Sequence, residues 1–191
     1  AGCNLYASGF CPAARAYEYP AQVVESTCGT ISGCPALCGD RVCNGGETCR
    51  GVRQFIRDLQ SLPHSPVLGL LTGNIQLGAE IKLRHFKLWD VFWTGGFADD
   101  HEDRNQIAVV ARERGTRALN ENLRGDQILV VGDTAHDIRC ARAIGAKVLA
   151  VATGGHTLAE LKKNAPDWVV KDLRQIAARD VCGRVEPRNG R

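Results

Sequence analysis

Between residues 127 and 133 the chain reads Gln-Ile-Leu-Val-Val-Gly-Asp, four consecutive branched apolar residues running into a glycine and a carboxylate. A strand with one wet face alternates apolar and polar residues, so an unbroken apolar run implies a strand covered on both faces. Similar short runs occur at Val67-Leu-Gly-Leu-Leu71, Val91-Phe-Trp93, 147–151 and 168–170. The first helical period is Val52, Phe55, Ile56, Leu59 and Leu62, ended by Pro63 and Pro66. Further helices are expected over 76–87, 104–114, 136–144 and 158–163, with a last one after residue 170. Strands alternating with helices of about ten residues predict an α/β protein with a doubly wound parallel sheet. In such sheets ligands bind beyond the carboxyl ends of the strands. Thr72 and Asp133 both fall at such ends.

This regularity begins at Gly51. Seven of the nine cysteines lie before residue 50, in a Gly-rich stretch whose one strand-like segment is Ala21-Gln-Val-Val-Glu-Ser26. The gaps between Cys28, Cys34, Cys38, Cys43 and Cys49 contain no C-x-x-C pair, which argues against a zinc module. The expected organisation is an unassigned, poorly ordered or aberrant segment over 1–50, a core over 51–180 and a tail over 181–191. With 191 residues, the chain accommodates one domain with a sizeable core, or one domain and a small appendage. Composition (44% hydrophobic, 24% charged, net charge +3) is that of a globular protein, with too little positive charge to argue for nucleic acid. A run of about 18 apolar residues is missing, so no membrane span is expected and the protein reads as cytoplasmic.

Two turns carry the chemistry. Leu71-Thr-Gly-Asn74 is a strand end opening into a helix, where unpaired backbone N–H groups and a hydroxyl make an anion site; Thr and Asn are also ordinary turn residues. In Gly132-Asp-Thr-Ala-His-Asp137, the two carboxylates stand four residues apart and can converge. A pair of hard oxygen donors beside an anion pocket suits Mg²⁺, which keeps several waters and takes one or two protein carboxylates. The structural alternative is that Asp133 caps the helix and Asp137 favours its positive end. His136 could touch a ligand or be an exposed helix-start residue. Trp89, Trp93 and Trp168 are expected to pack in the core or at its rim.

Together, Val67 to Asn74, Ile81-Lys-Leu83, Gly95-Gly-Phe97 with Asp99-Asp100 and Asp103-Arg104, Val130 to Ile138 and Cys140 to Ala146 resemble one group of haloacid dehalogenase-like (HAD) hydrolases, the phosphoglycolate phosphatase type. The likeness runs from Gly51 to about Leu173. It implies a Mg²⁺-dependent phosphatase acting on a small phosphorylated substrate. Thr72, with Gly73 and Asn74, would contact phosphate, while Asp133 and Asp137 would hold the metal. The phosphate-neutralising cation would be Arg104 or, one helix earlier, Lys82.

One element of that pattern is not found. The family's nucleophile is the first aspartate of a D-x-D-G-T motif that ends a central strand, and no segment of this chain matches it intact. The closest is Val23 to Ile31, where Gly29 and Thr30 fit but Ser26 and Cys28 replace the aspartates. Neither supplies a carboxylate to form an acyl-phosphate. The interval from Thr30 to Gly51 is too short for the helical cap such phosphatases usually insert, so the cap is expected to be truncated or absent. Two functions remain: a phosphomonoester hydrolase by descent, or a non-catalytic HAD-like domain binding phosphate, metal or a protein. A dinucleotide-binding oxidoreductase is disfavoured because no G-x-G-x-x-G follows a strand.

Overall fold

A computed structural model describes residues 4–7 and 51–182. The elements are β1 (Asn4–Ala7), α1 (Val52–Gln60), β2 (Leu68–Leu71), α2 (Gln76–His85), β3 (Thr94–Gly96), α3 (Arg104–Leu119), β4 (Ile128–Gly132), α4 (Ala135–Ala143), β5 (Lys147–Val151), α5 (Leu158–Lys162), β6 (Trp168–Val170) and α6 (Ala178–Cys182). The six strands form one parallel sheet in the order β3-β2-β1-β4-β5-β6. Strand order reverses around β1, which lies between β2 and β4. The doubly wound parallel architecture expected from the sequence is therefore present.

The apolar runs are unbroken because each strand feeds two cores. Ile128 and Val130 of β4, with Val148 and Ala150 of β5, join a cluster containing Ile107, Ala108 and Ala111 of α3, Ile138 and Ala141 of α4, and Leu161 of α5. Their neighbours Leu129, Val131, Leu149 and Val151 face the opposite side. There they meet Val52, Phe55, Ile56 and Leu59 of α1 and Ala178 and Val181 of α6. All five residues of β4 are buried. Gly51 starts α1 at φ 92, in the left-handed region, where an added Cβ would lie 2.8 Å from Arg174 Cγ.

Three elements differ from expectation. The strand expected over 91–93 is instead Thr94–Gly96, preceded by a 3-10 turn at Trp89–Val91. Glycine is a poor strand former, yet here it lets α3 approach: a Cβ on Gly96 would lie 2.5 Å from the Ile107 carbonyl oxygen. Helix α3 runs past Arg114 to Leu119 and ends at Asn120, which takes the left-handed conformation (φ 51). Trp93 does not pack: it is 77% exposed.

The strand beside β2 and β4 comes from Asn4–Ala7, a stretch the sequence pattern did not mark. Leu5 stands level with Leu68 and Leu129, and Ala7 with Leu70 and Val131. The segment Val23 to Ile31, the remaining N-terminal cysteines, the interval where a cap would be inserted and the tail after Cys182 lie outside the described residues. Among those described, no helix is long and apolar enough to cross a membrane.

Leu149 of β5 is fully buried between the strands β4 and β6, whereas Leu77 is 61% exposed. Leu149→Ala is expected to cost about 2–5 kcal/mol, and Leu77→Ala less than about 0.5 kcal/mol. Urea unfolding of the two variants measures the difference.

Candidate active site at the carboxyl ends of β2 and β4

The turn after β4 is organised by Asp137. Thr134 is the N-cap of α4 and Asp137 its third residue, so the two form a reciprocal capping box. Asp137 Oδ2 accepts from the backbone N–H groups of Asp133 (3.1 Å) and Thr134 (2.9 Å) and from the Thr134 hydroxyl (2.8 Å). Its Oδ1 accepts from Arg104 Nη2 at 2.7 Å. The side chain is 1% exposed. Burying a carboxylate is tolerable when both oxygens are occupied in this way and a cation faces one of them. Thr134 rather than Asp133 therefore caps α4, which leaves Asp133 for other work.

Asp133 has a different environment. It is 4% exposed, and no side chain among the described residues donates a hydrogen bond to its carboxylate. Burial, and secondarily the negative charge of Asp137, push its pKa up to about 7. Glycines make the space for both acids. A Cβ on Gly132 would fall 2.3 Å from Asp137 Cβ, and one on Gly154, after β5, would fall 2.1 Å from Asp133 Oδ2. This buried, under-compensated carboxylate beside a second one suits a divalent cation, which would favour its charged form. The described residues contain no group of three or more His, Cys, Asp or Glu side chains that could hold a metal. For Mg²⁺, which retains water ligands, a pair is enough.

The turn after β2 lies across β1, about 10 Å from the β4 tip given the usual spacing of neighbouring strands. Thr72 N donates to the Gly96 carbonyl at 3.1 Å, which fixes the turn to β3. Thr72 Oγ accepts from the backbone N–H (3.1 Å) and side-chain Nδ2 (2.9 Å) of Asn74. Asn74 Oδ1 in turn accepts from Lys82 Nζ at 3.0 Å. Asn74 thus directs its backbone N–H and its Nδ2 to the threonine.

Arg104, the first residue of α3, connects the two turns. One end of its guanidinium holds Asp137, and Nη1 lies 3.6 Å from where a Cβ on Gly73 would stand. Its Nε is buried without a partner among the described residues. Of the two cations considered from sequence, Arg104 stands between the turns, while Lys82 reaches the β2 turn through Asn74. His136 is exposed and lies 2.9 Å from Arg139 Nη2 through its Nδ1. Sequence reasoning missed Thr134, although Thr-x-x-Asp has capping-box spacing, and it missed Gly132 and Gly154, whose role lies in contacts made only after folding.

Residues 109–176 match a family model described as HAD-hydrolase-like, a stretch that contains Asp133 and Asp137. Over that stretch the chain is similar to the HAD-like family. Solved structures share the fold of this core. One is a predicted phosphoglycolate phosphatase from Haemophilus somnus 129PT, at 20% identity and a TM-score of 0.58, covering 75% of this chain and 60% of that one. Another is a β-phosphoglucomutase from Clostridium difficile, at 17% identity and a TM-score of 0.57, covering 70% and 54%. A third, named as a HAD-hydrolase from Bacillus subtilis bound to magnesium, has 15% identity and a TM-score of 0.53, covering 66% and 52%. The chain thus spans between about half and three fifths of the length of these proteins. No curated protein matches the sequence.

The raised pKa of Asp133 predicts how the metal-free protein responds to pH. An acid whose pKa is 3.8 when unfolded and about 7 when folded binds its proton more tightly in the native state. Its contribution is therefore fully present below pH 3.8 and is lost as pH rises to about 7, with a slope of at most about 1.4 kcal/mol per pH unit. Asp133→Asn should flatten that slope, as read by urea unfolding in EDTA across the same range.

Proposed function

We propose that this protein is a Mg²⁺-dependent phosphomonoester hydrolase of the phosphoglycolate phosphatase type, acting in the cytoplasm on a small organic phosphate. The observation that carries this reading is the Arg104 guanidinium, which joins the Thr72 turn to the Asp133 and Asp137 turn with an Nε that has no partner among the described residues. A phosphoryl group between the turns would accept from the Thr72 hydroxyl and the Gly73 N–H, while Arg104 neutralises its charge. Asp133 would hold Mg²⁺, with Asp137 beside it. When bound, the ion would neutralise phosphoryl oxygens and favour departure of the alkoxide.

A specific observation supports a second reading, phosphate binding without turnover. The strand between β2 and β4 occupies the slot from which the family's nucleophile projects, and that strand is Asn4–Ala7. In sequence it is followed by Ser8-Gly9-Phe10-Cys11, and the first carboxylate after it is Glu18. Hydrolysis through an aspartyl-phosphate requires a carboxylate at that place.

Release of phosphate from an aryl phosphate, with Mg²⁺ and with EDTA, separates the two. The hydrolase reading expects Mg²⁺-dependent release that falls at least a hundredfold in Asp133→Ala, on the order of what a lost electrostatic group removes. Binding of inorganic phosphate by calorimetry, with no release from the aryl phosphate, would establish the second reading. Absence of both would overturn the assignment of the site. Mg²⁺ should also raise the melting temperature more at pH 8 than at pH 5, because coordination competes with the Asp133 proton.

A further inference from the structure

Thr72 Oγ accepts two hydrogen bonds from one residue, the N–H and the Nδ2 of Asn74. A hydroxyl has two acceptor lone pairs and one proton, so with both lone pairs engaged the proton must be donated elsewhere. This arrangement depends on which way the Asn74 amide faces. If the amide were turned over, its oxygen would face Thr72 and accept the hydroxyl proton, removing the donor.

Lys82 decides that orientation. An ammonium group has only donors, and its Nζ stands 3.0 Å from Asn74 Oδ1, so the oxygen must face Lys82 and the NH₂ must face Thr72. Lys82 lies in α2 and the turn follows β2, so the tie spans eight residues and exists only when helix and turn are packed together. Arg104 already provides the cation adjacent to Gly73 and Asp137.

We propose that Lys82 is a positioning residue that, through the Asn74 amide, fixes the Thr72 hydroxyl as a hydrogen-bond donor to the phosphoryl group. The proposal rests on the reading of the β2 turn as the phosphoryl cradle. It assigns Lys82 an indirect role and leaves direct charge neutralisation to Arg104.

A double-mutant cycle tests it, with inorganic phosphate as the probe, calorimetry in the presence of MgCl₂ as the readout, and melting temperature as the check on folding. Thr72→Val should weaken phosphate about tenfold, the effect of one hydrogen bond to a charged group. Lys82→Met should weaken it by a similar factor, and the double variant no further than Thr72→Val alone, because both substitutions remove the same donor. Lys82→Arg, which keeps a donor-only cation, should restore at least half of the lost affinity on a logarithmic scale. Independent, multiplying losses would overturn the proposal and make Lys82 a direct charge on phosphate. A ligand-free measurement keeps the idea testable apart from the site assignment. The NMR resonances of the Asn74 side-chain NH₂ should be protected from solvent exchange in the wild type and in Lys82→Arg, and lose that protection in Lys82→Met. Unchanged protection in Lys82→Met would refute the relay even if phosphate binds. Absent phosphate binding in the wild type with protection lost in Lys82→Met would refute the cradle and, with it, the donation to phosphate.

Discussion

Asp137 is where the architecture and the chemistry meet. Its carboxylate receives two backbone N–H groups, the Thr134 hydroxyl and the Arg104 guanidinium, and it does so almost fully buried. Removing any of these donors would leave a buried charge under-compensated, so the β4 turn, the start of α4 and the start of α3 are bound to one geometry. Arg104 then transmits that geometry to the β2 turn through its approach to Gly73. Loss of the Asp137 carboxylate would leave Arg104 without its partner and the Asp133 and Thr134 donors without their acceptor.

The two aspartates are four residues apart in sequence and opposite in circumstance. Asp137 has its donors supplied by the protein, and Asp133 has none from side chains among the described residues. Burial and the adjacent negative charge raise the pKa of Asp133 to about 7. The protein thus holds one carboxylate as structure and keeps the other in a state that a divalent cation would relieve. Glycine at 154 belongs to the same economy of space, since any side chain there would occupy the position of an Asp133 oxygen.

A likeness to solved structures at 15–20% identity is a likeness of fold. The β-phosphoglucomutase and the phosphoglycolate phosphatase share this arrangement while their names describe different reactions, so fold alone does not choose between chemistries. The choice here turns on side chains at two strand tips and on the strand between them. Asn4–Ala7 completes the sheet, yet the sequence after it offers no early carboxylate.

Apolar patterning alone determined the layered α/β class, because β4 and β5 must bury alternate residues in opposite cores and so cannot tolerate a polar residue on either face. It also located the two turns with Thr72 and Asp133, since strand ends in such sheets are where ligands bind. Short elements escaped it: Thr94–Gly96 forms a strand because α3 needs glycines beneath it, and Asn4–Ala7 because β2 and β4 need a partner. Both are decided by distant packing rather than by local preference. The roles of Arg104 and Lys82 were equally open from sequence, as each is a cation near the start or middle of a helix. Only folding places one guanidinium between two turns and one ammonium against an amide, because hydrogen-bond geometry depends on distances that sequence spacing does not specify.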